Sequence, residues 1–203
     1  MEPLVLIGGG GHCRSCLEVI RAQGRYRVAG IVDRPAKLHQ RVDGCEVFAT
    51  DDDLERLARE YPWFLITVGQ VKTPEPRRRL FERVTALGGR LATVVSPLAW
   101  VSSRARLGPG TVVMHHGLVN TGARVGRNCI INSKALVEHD AVIGDHCHLA
   151  TAAVVNGGAR IGAGVLVGTN AAVCQGVVVG EGRLVPGGCL VRRDMPARLE
   201  VVR

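Results

Sequence analysis

The chain has 203 residues, of which 46% are hydrophobic, 22% charged and only 3% aromatic. That balance excludes intrinsic disorder, and the length holds one large or two small domains with a core of Val, Ile, Leu and Ala. A formal net charge of +8, carried almost entirely by arginine, points to an anionic partner; with no nucleic-acid motif present, phosphorylated small molecules fit better than nucleic acid.

The opening "MEPLVLIGGGG" has no basic n-region and no long apolar run, so neither a signal peptide nor a membrane span is expected. Residues 4–7 read as a buried strand, 16–24 as a helix ended by glycine, and 27–33 as a second strand. Residues 50–61 carry a polar N-cap cluster and a helical apolar period. A strand over 63–69, a helix over 75–89 and a last strand over 90–95 follow. Strands alternating with helices predict a small parallel α/β domain of Rossmann type over residues 1–94.

From residue 95 the apolar period becomes six. Val95, Val101, Leu107, Val113 and every sixth position to Val191 are aliphatic. Small residues such as Ala135, Ala141, Cys147 and Ala153 recur four places later, where they are expected to turn the corners. This is the hexapeptide signature of a parallel β-helix, in which three units close a triangular coil that winds left-handed. The pattern predicts a β-helix domain over residues 95–203. The seven cysteines form no zinc or disulfide spacing and read as reduced packing residues.

An eighteen-residue coil stacks His139 between Thr121 and Gly157, and Asp140 between Gly122 and Gly158. It stacks His148 between Ile130 and Leu166, near Asn132. His139 and His148 lie half a coil apart, on opposite sides of one prism. A site using both therefore needs a second subunit, and a trimer is the natural closure for a three-sided prism. His115, His116 and His146 are expected to be polar surface residues.

"VEHDAVIGDHCHLA" on a hexapeptide repeat, after "LIGGGGH", resembles the bacterial sugar O-/N-acyltransferase family over nearly the whole chain. The resemblance implies an acetyl-CoA-dependent N-acetyltransferase acting on a nucleotide-linked aminosugar, cytoplasmic and metal-free, that feeds surface-glycan synthesis. It implies that His139 is the general base and that Asp140 raises its basicity. His148, Thr169 and Gly187 match acetyl-CoA positions; Asn132, Glu138 and His12 match positions lining the acceptor pocket. Gly10, Gly11, His12, Asp33 and Gly69 match the nucleotide-sugar site. Two departures stand out: Cys13 occupies the third glycine position of the loop, and Arg34 replaces a frequent acidic residue.

The chemistry suits these residues. A histidine of ordinary pKa, about 6.5, can take the proton as a sugar nitrogen attacks the thioester. The neighbouring carboxylate fixes its tautomer. The backbone N–H of Gly157, bare because no side chain covers it, is the expected oxyanion donor. Arg192, Arg193 and Arg198 are candidates for the coenzyme phosphates. The alternatives are O-acetylation of a sugar hydroxyl, a zinc lyase built from His139, His146 and His148, and a non-catalytic nucleotide-sugar sensor.

Overall fold

The computed structural model describes residues 1–197. The N-terminal half is a six-stranded sheet of order β3-β4-β2-β1-β5-β6. Its elements are β1 (Glu2–Ile7), α1 (Gly11–Gln23), β2 (Tyr26–Val32), β3 (Arg41–Val42), β4 (Cys45–Ala49), α2 (Leu54–Glu60), β5 (Trp63–Ile66), α3 (Glu75–Ala86) and β6 (Arg90–Leu91). β1 is central and parallel to both β2 and β5. Its Leu4, Val5, Leu6 and Ile7 are fully enclosed, as a strand covered on both faces requires.

Three details of this half differ from the sequence reading. Helix α1 starts at Gly11, directly off the glycine loop, rather than at residue 16. β3 and β4 form an antiparallel hairpin that the sequence reading did not place. Residues 90–95 are not one strand: β6 pairs with β5, whereas β7 (Val94–Val95) pairs with β10 (Val112–Val113) of the coil. The chain changes sheets inside "RLATVV", and a continuous apolar run carries no mark of that change.

From β7 to β23 (Leu190–Val191) the strands are two residues long and fall into three parallel sheets, the faces of a triangular coil. Face I holds the strands at 94–95, 112–113, 130–131, 148–149, 166–167 and 184–185; face II those at 100–101, 118–119, 136–137, 154–155, 172–173 and 190–191; face III those at 106–107, 124–125, 142–143, 160–161 and 178–179. Each strand pairs in register with the strand eighteen residues on, as Ile131 does with Leu149. The inward aliphatics stack into one core from Val113 to Val185. Each buried side chain of this size contributes about 1.5–3 kcal/mol.

The small residues four places after each aliphatic do not turn the corners. Ala135, Ala141, Cys147, Ala153 and Ala159 are fully buried, filling the narrow apices of the prism from inside. The turn is made one residue earlier, at positions 110, 116, 122, 128, 134, 140 and onward every six to 188, where φ is positive throughout. Gly, Asn, Asp and His dominate there because the left-handed region is costly for other side chains.

Helix α1 packs on face I: Cys13, Cys16, Leu17 and Ile20 share a core with Val94, Val112, Met114 and Ile130. Helix α3 and the loop before it dock along the corner between faces III and I. Arg77 is fully buried and donates through Nη2 to the Asn128 carbonyl (2.7 Å) and Oδ1 (3.0 Å). The Asn128 amide returns a bond to the Arg77 carbonyl and contacts His146 Nδ1 at 2.9 Å. Phe81 meets the His146 ring edge-on at 5.4 Å. Gln70 Nε2 donates to the Gly164 carbonyl at 3.2 Å. His146 is thus an interdomain residue, only 8% exposed, and not the surface residue expected from sequence.

Candidate functional site

The first cluster is built where β1 runs into α1. Gly10 and Gly11 have open space where a side chain would stand, so a ligand can approach their backbone at the helix N-terminus. A cleft of about 380 Å³ opens there, lined by Gly9, Gly10, Gly11, Arg14, Arg41, Val42 and Asp43. Asp33 braces the glycine loop. Its Oδ2 accepts from the Gly9 N–H (2.7 Å) and Lys37 Nζ (2.9 Å), and its Oδ1 accepts from the Arg34 N–H (2.7 Å). Partial burial pushes this carboxyl up, but the bonds from Lys37, Arg34 and Gly9 outweigh it and hold the pKa below the usual range. Both Asp33 oxygens are therefore already engaged in shaping the loop.

Gly69 stands against His12: a side-chain carbon on it would lie 3.4 Å from the His12 Cβ. Burial, then the charge of Arg77, then His148 push His12 down to about 3. His148, on β16 (His148–Leu149), points outward from face I yet is only 9% exposed, because the loop at Gln70 covers it. Its Nδ1 lies 2.9 Å from the Gln70 carbonyl and its Nε2 lies 3.2 Å from Asn132 Nδ2. Burial pushes His148 down to about 4; the Gln70 bond opposes that shift and Arg77 adds to it. Both histidines are neutral at physiological pH.

The second cluster sits across the prism, on the turn between faces II and III. Asp140 occupies a left-handed turn position with φ 58°. Its Oδ2 lies 3.0 Å from His139 Nδ1. Glu138 Oε2 accepts from the His139 N–H (3.0 Å) and Asn120 Nδ2 (2.7 Å), and these two bonds hold its pKa below the usual value. The other edge of the His139 ring rests on Gly157, one coil on. The Gly157 N–H has no acceptor among the described residues.

Thr169 and Gly187 stack on successive coils in the turn between faces I and II, joined by a bond from the Gly188 N–H to the Thr169 carbonyl at 2.8 Å. One chain thus brings together Gly10, Gly11, His12, Asp33, Gly69, Asn132 and His148, and separately Glu138, His139, Asp140 and Gly157. It does not bring the two sets together. Arg192 and Arg193 line an apolar-floored cavity of about 470 Å³ at the far end of the coil. Arg198 lies outside the described residues. Among the described residues His139, His146 and His148 form no three-ligand metal cluster.

Residues 3–84 match the PglD N-terminal domain family. Perosamine N-acetyltransferase from Caulobacter crescentus, solved in complex with CoA and GDP-perosamine, superposes with a TM-score of 0.91 at 33% identity, covering 98% of this chain and 93% of that one. The chain belongs to the bacterial sugar acyltransferase family. A second member, the acetyltransferase domain of PglB from Neisseria gonorrhoeae, has a TM-score of 0.88 at 31% identity over 97% of this chain and 94% of that one. A curated member, UDP-N-acetylbacillosamine N-acetyltransferase of Bacillus subtilis, is 33% identical over 118 residues, which span 56% of this chain and 52% of that protein. As in the family, a small α/β domain precedes a left-handed parallel β-helix, the fold class expected from the sequence.

Sequence reasoning missed Arg14, Arg41, Gln70 and Arg77. Arg14 lies one turn into a helix whose start was placed too late, and Arg41 lies on the unforeseen hairpin. Arg77 sits in the "RRR" cluster, whose other members face solvent; only the interdomain contact sets it apart. Among the described residues no helix is long and apolar enough to cross a membrane.

Proposed function

We propose that this protein transfers the acetyl group of acetyl-CoA to the amino group of a nucleotide-linked aminosugar by direct attack. The observation that carries the reading is His139, with Nδ1 held 3.0 Å from the Asp140 carboxylate and its other edge lying over bare Gly157 backbone. The amine nitrogen attacks the thioester carbonyl carbon, and His139 takes the proton it sheds. Asp140 stabilises the resulting imidazolium. The Gly157 N–H, which has no acceptor among the described residues, holds the oxygen as it gains charge. Collapse of the adduct breaks the C–S bond, and His139 returns its proton to the departing sulfur. No covalent enzyme intermediate forms.

Residues 1–94 take the nucleotide-sugar in this reading, and residues 95–203 carry out the transfer. Gly10, Gly11, Asp33 and Gly69 shape the nucleotide cleft. His12, Asn132 and Glu138 line the acceptor pocket. His148, Gly157, Thr169 and Gly187 meet acetyl-CoA, and Arg192 and Arg193 take its phosphates. Charge is on its side: Arg14 and Arg41 face the cleft where a diphosphate would lie.

These residues converge only if a second copy contributes one of the two clusters, so the active unit is a cyclic homotrimer with sites between subunits. Surface chemistry favours face II as the seam. Its outward row, Trp100, Leu118, Leu136, Val154, Ala172 and Leu190, is apolar from end to end. The matching row of face III begins with exposed Arg106 and Arg124. In this reading the protein works in the cytoplasm and feeds surface polysaccharide biosynthesis.

The test is an acetylation assay with UDP-, GDP- and dTDP-linked aminosugars and acetyl-CoA. Amide formation with one of them supports the reading. No turnover with any, by folded protein, overturns it, and an ester product would mean O-acetylation of a hydroxyl.

A further inference from the structure

We infer that His148 is a positioning residue rather than a proton carrier, and that with the Gln70 main-chain carbonyl it fixes Asn132 as a hydrogen-bond donor toward an oxygen atom of the bound ligand. This rests on the reading of Asn132 as a lining residue of the acceptor pocket.

The argument is one of hydrogen-bond polarity. A carbonyl oxygen can only accept, so the 2.9 Å contact between the Gln70 carbonyl and His148 Nδ1 requires the proton on Nδ1. Nε2 of the neutral ring then carries a lone pair and needs a donor. Asn132 supplies it from Nδ2, at 3.2 Å. A second constraint sets the same amide orientation independently: Asn132 Oδ1 accepts from the Ser133 N–H at 2.8 Å. The amide cannot flip without turning both contacts into repulsions.

An amide nitrogen has two hydrogens. One goes to His148; the second has no acceptor among the described residues, and Asn132 is only partly buried. The site thus offers an N–H of fixed direction. An ammonium cannot accept it, and a reacting amine must keep its lone pair for attack. The matching atom is an oxygen: a sugar hydroxyl or the thioester carbonyl.

The relay also spans the two domains. Gln70 follows Gly69, which stands against His12. The segment that flanks the nucleotide cleft therefore sets the tautomer of a histidine on the coil. His148 lends its ring as a rigid spacer between the Gln70 carbonyl and the Asn132 amide.

Two measurements test this. In protein with ¹⁵N-labelled histidine, long-range ¹H–¹⁵N spectra at neutral pH, assigned by comparison with His148→Asn, should show His148 neutral and protonated at Nδ1. An Nε2–H tautomer or an imidazolium overturns the inference. In kinetics, Asn132→Ala should cost roughly tenfold or more in kcat/KM, and Asn132→Asp, which offers only acceptors, should cost more than Ala. Asn132→Asp at parental activity overturns it. A loss seen in the sugar-nucleotide KM assigns the oxygen to a sugar hydroxyl; a loss in kcat alone assigns it to the thioester. The spectrum needs no turnover. The expected tautomer in a protein that acetylates no aminosugar would leave the relay standing and remove the proposed reaction.

Discussion

The His139 ring lies directly on Gly157, so close that a side-chain carbon there would come within 2.5 Å of its Nε2. Gly157→Ala must therefore push the imidazole outward. The ring is half-exposed and can move without unfolding the coil. We expect a normal thermal midpoint and a loss of activity on the order of 100-fold, since displacements of about 1 Å at a reacting group cost that much. Circular dichroism beside steady-state rates checks both halves; a variant with parental kcat would contradict the placement of the base.

His139→Asn should fold normally and lose about 10²–10⁴-fold in kcat, the usual contribution of a positioned general base. Asp140→Asn keeps a residue tolerant of the left-handed turn and retains a side-chain oxygen near Nδ1, but removes the charge. A smaller loss in kcat, roughly tenfold, is expected because the charge that stabilises the imidazolium is gone. Steady-state rates measure it, and an unchanged circular dichroism spectrum and thermal midpoint separate this effect from a distorted turn.

Asn128 carries two loads, the bonds that hold Arg77 and a backbone φ of 51°. Asn128→Gly removes the first and relieves the second; Asn128→Ala removes the first and adds strain. We expect Gly to destabilise by about 1.5–3 kcal/mol. Ala should cost about 1–2 kcal/mol more. Urea unfolding ranks the two, and Ala equal to Gly would show that the left-handed turn carries no strain here.

Stability should fall in mild acid. Burial foremost holds His148 at about 4 and His12 at about 3 in the folded chain, against about 6.5 when unfolded. Below pH 6.5 the unfolded chain binds protons that the native one refuses. The stabilisation is thus complete above that pH and declines until the native pKa values are reached. At pH 5 each histidine accounts for a loss of about 2 kcal/mol. Unfolding curves at pH 7.5 and 5 measure it, and His12→Asn/His148→Asn should flatten the difference.

Leu136→Asp places a charge in the middle of the apolar row on face II. If that row is the trimer seam, light scattering should report a monomer, and acetyl transfer should vanish with assembly although His139 and His148 are both intact. A trimer of unchanged mass and activity would assign the seam to another face.

Much of this was readable beforehand. The coil declared itself through an aliphatic residue at every sixth place, because each must enter the same narrow core, and eighteen-residue arithmetic then placed His139 over Gly157. What escaped was whatever depends on one domain meeting the other. Nothing local separates Arg77 from Arg78, or His146 from His116, until α3 is laid along the coil. The turn positions were legible too, in the Gly, Asn, Asp and His that recur from 110 to 188, but the small buried residue next to each drew attention first.

Gly110, Asn128, His146 and Gly164 occupy one corner on four successive coils, and Phe81, Arg77 and Gln70 grip them. Inserting or deleting a single hexapeptide within that stretch would rotate the downstream grips by a third of a turn, away from the helix that holds them. Natural length variation should therefore collect beyond residue 164, where the prism is free to grow or shrink, while its first four storeys stay the same height.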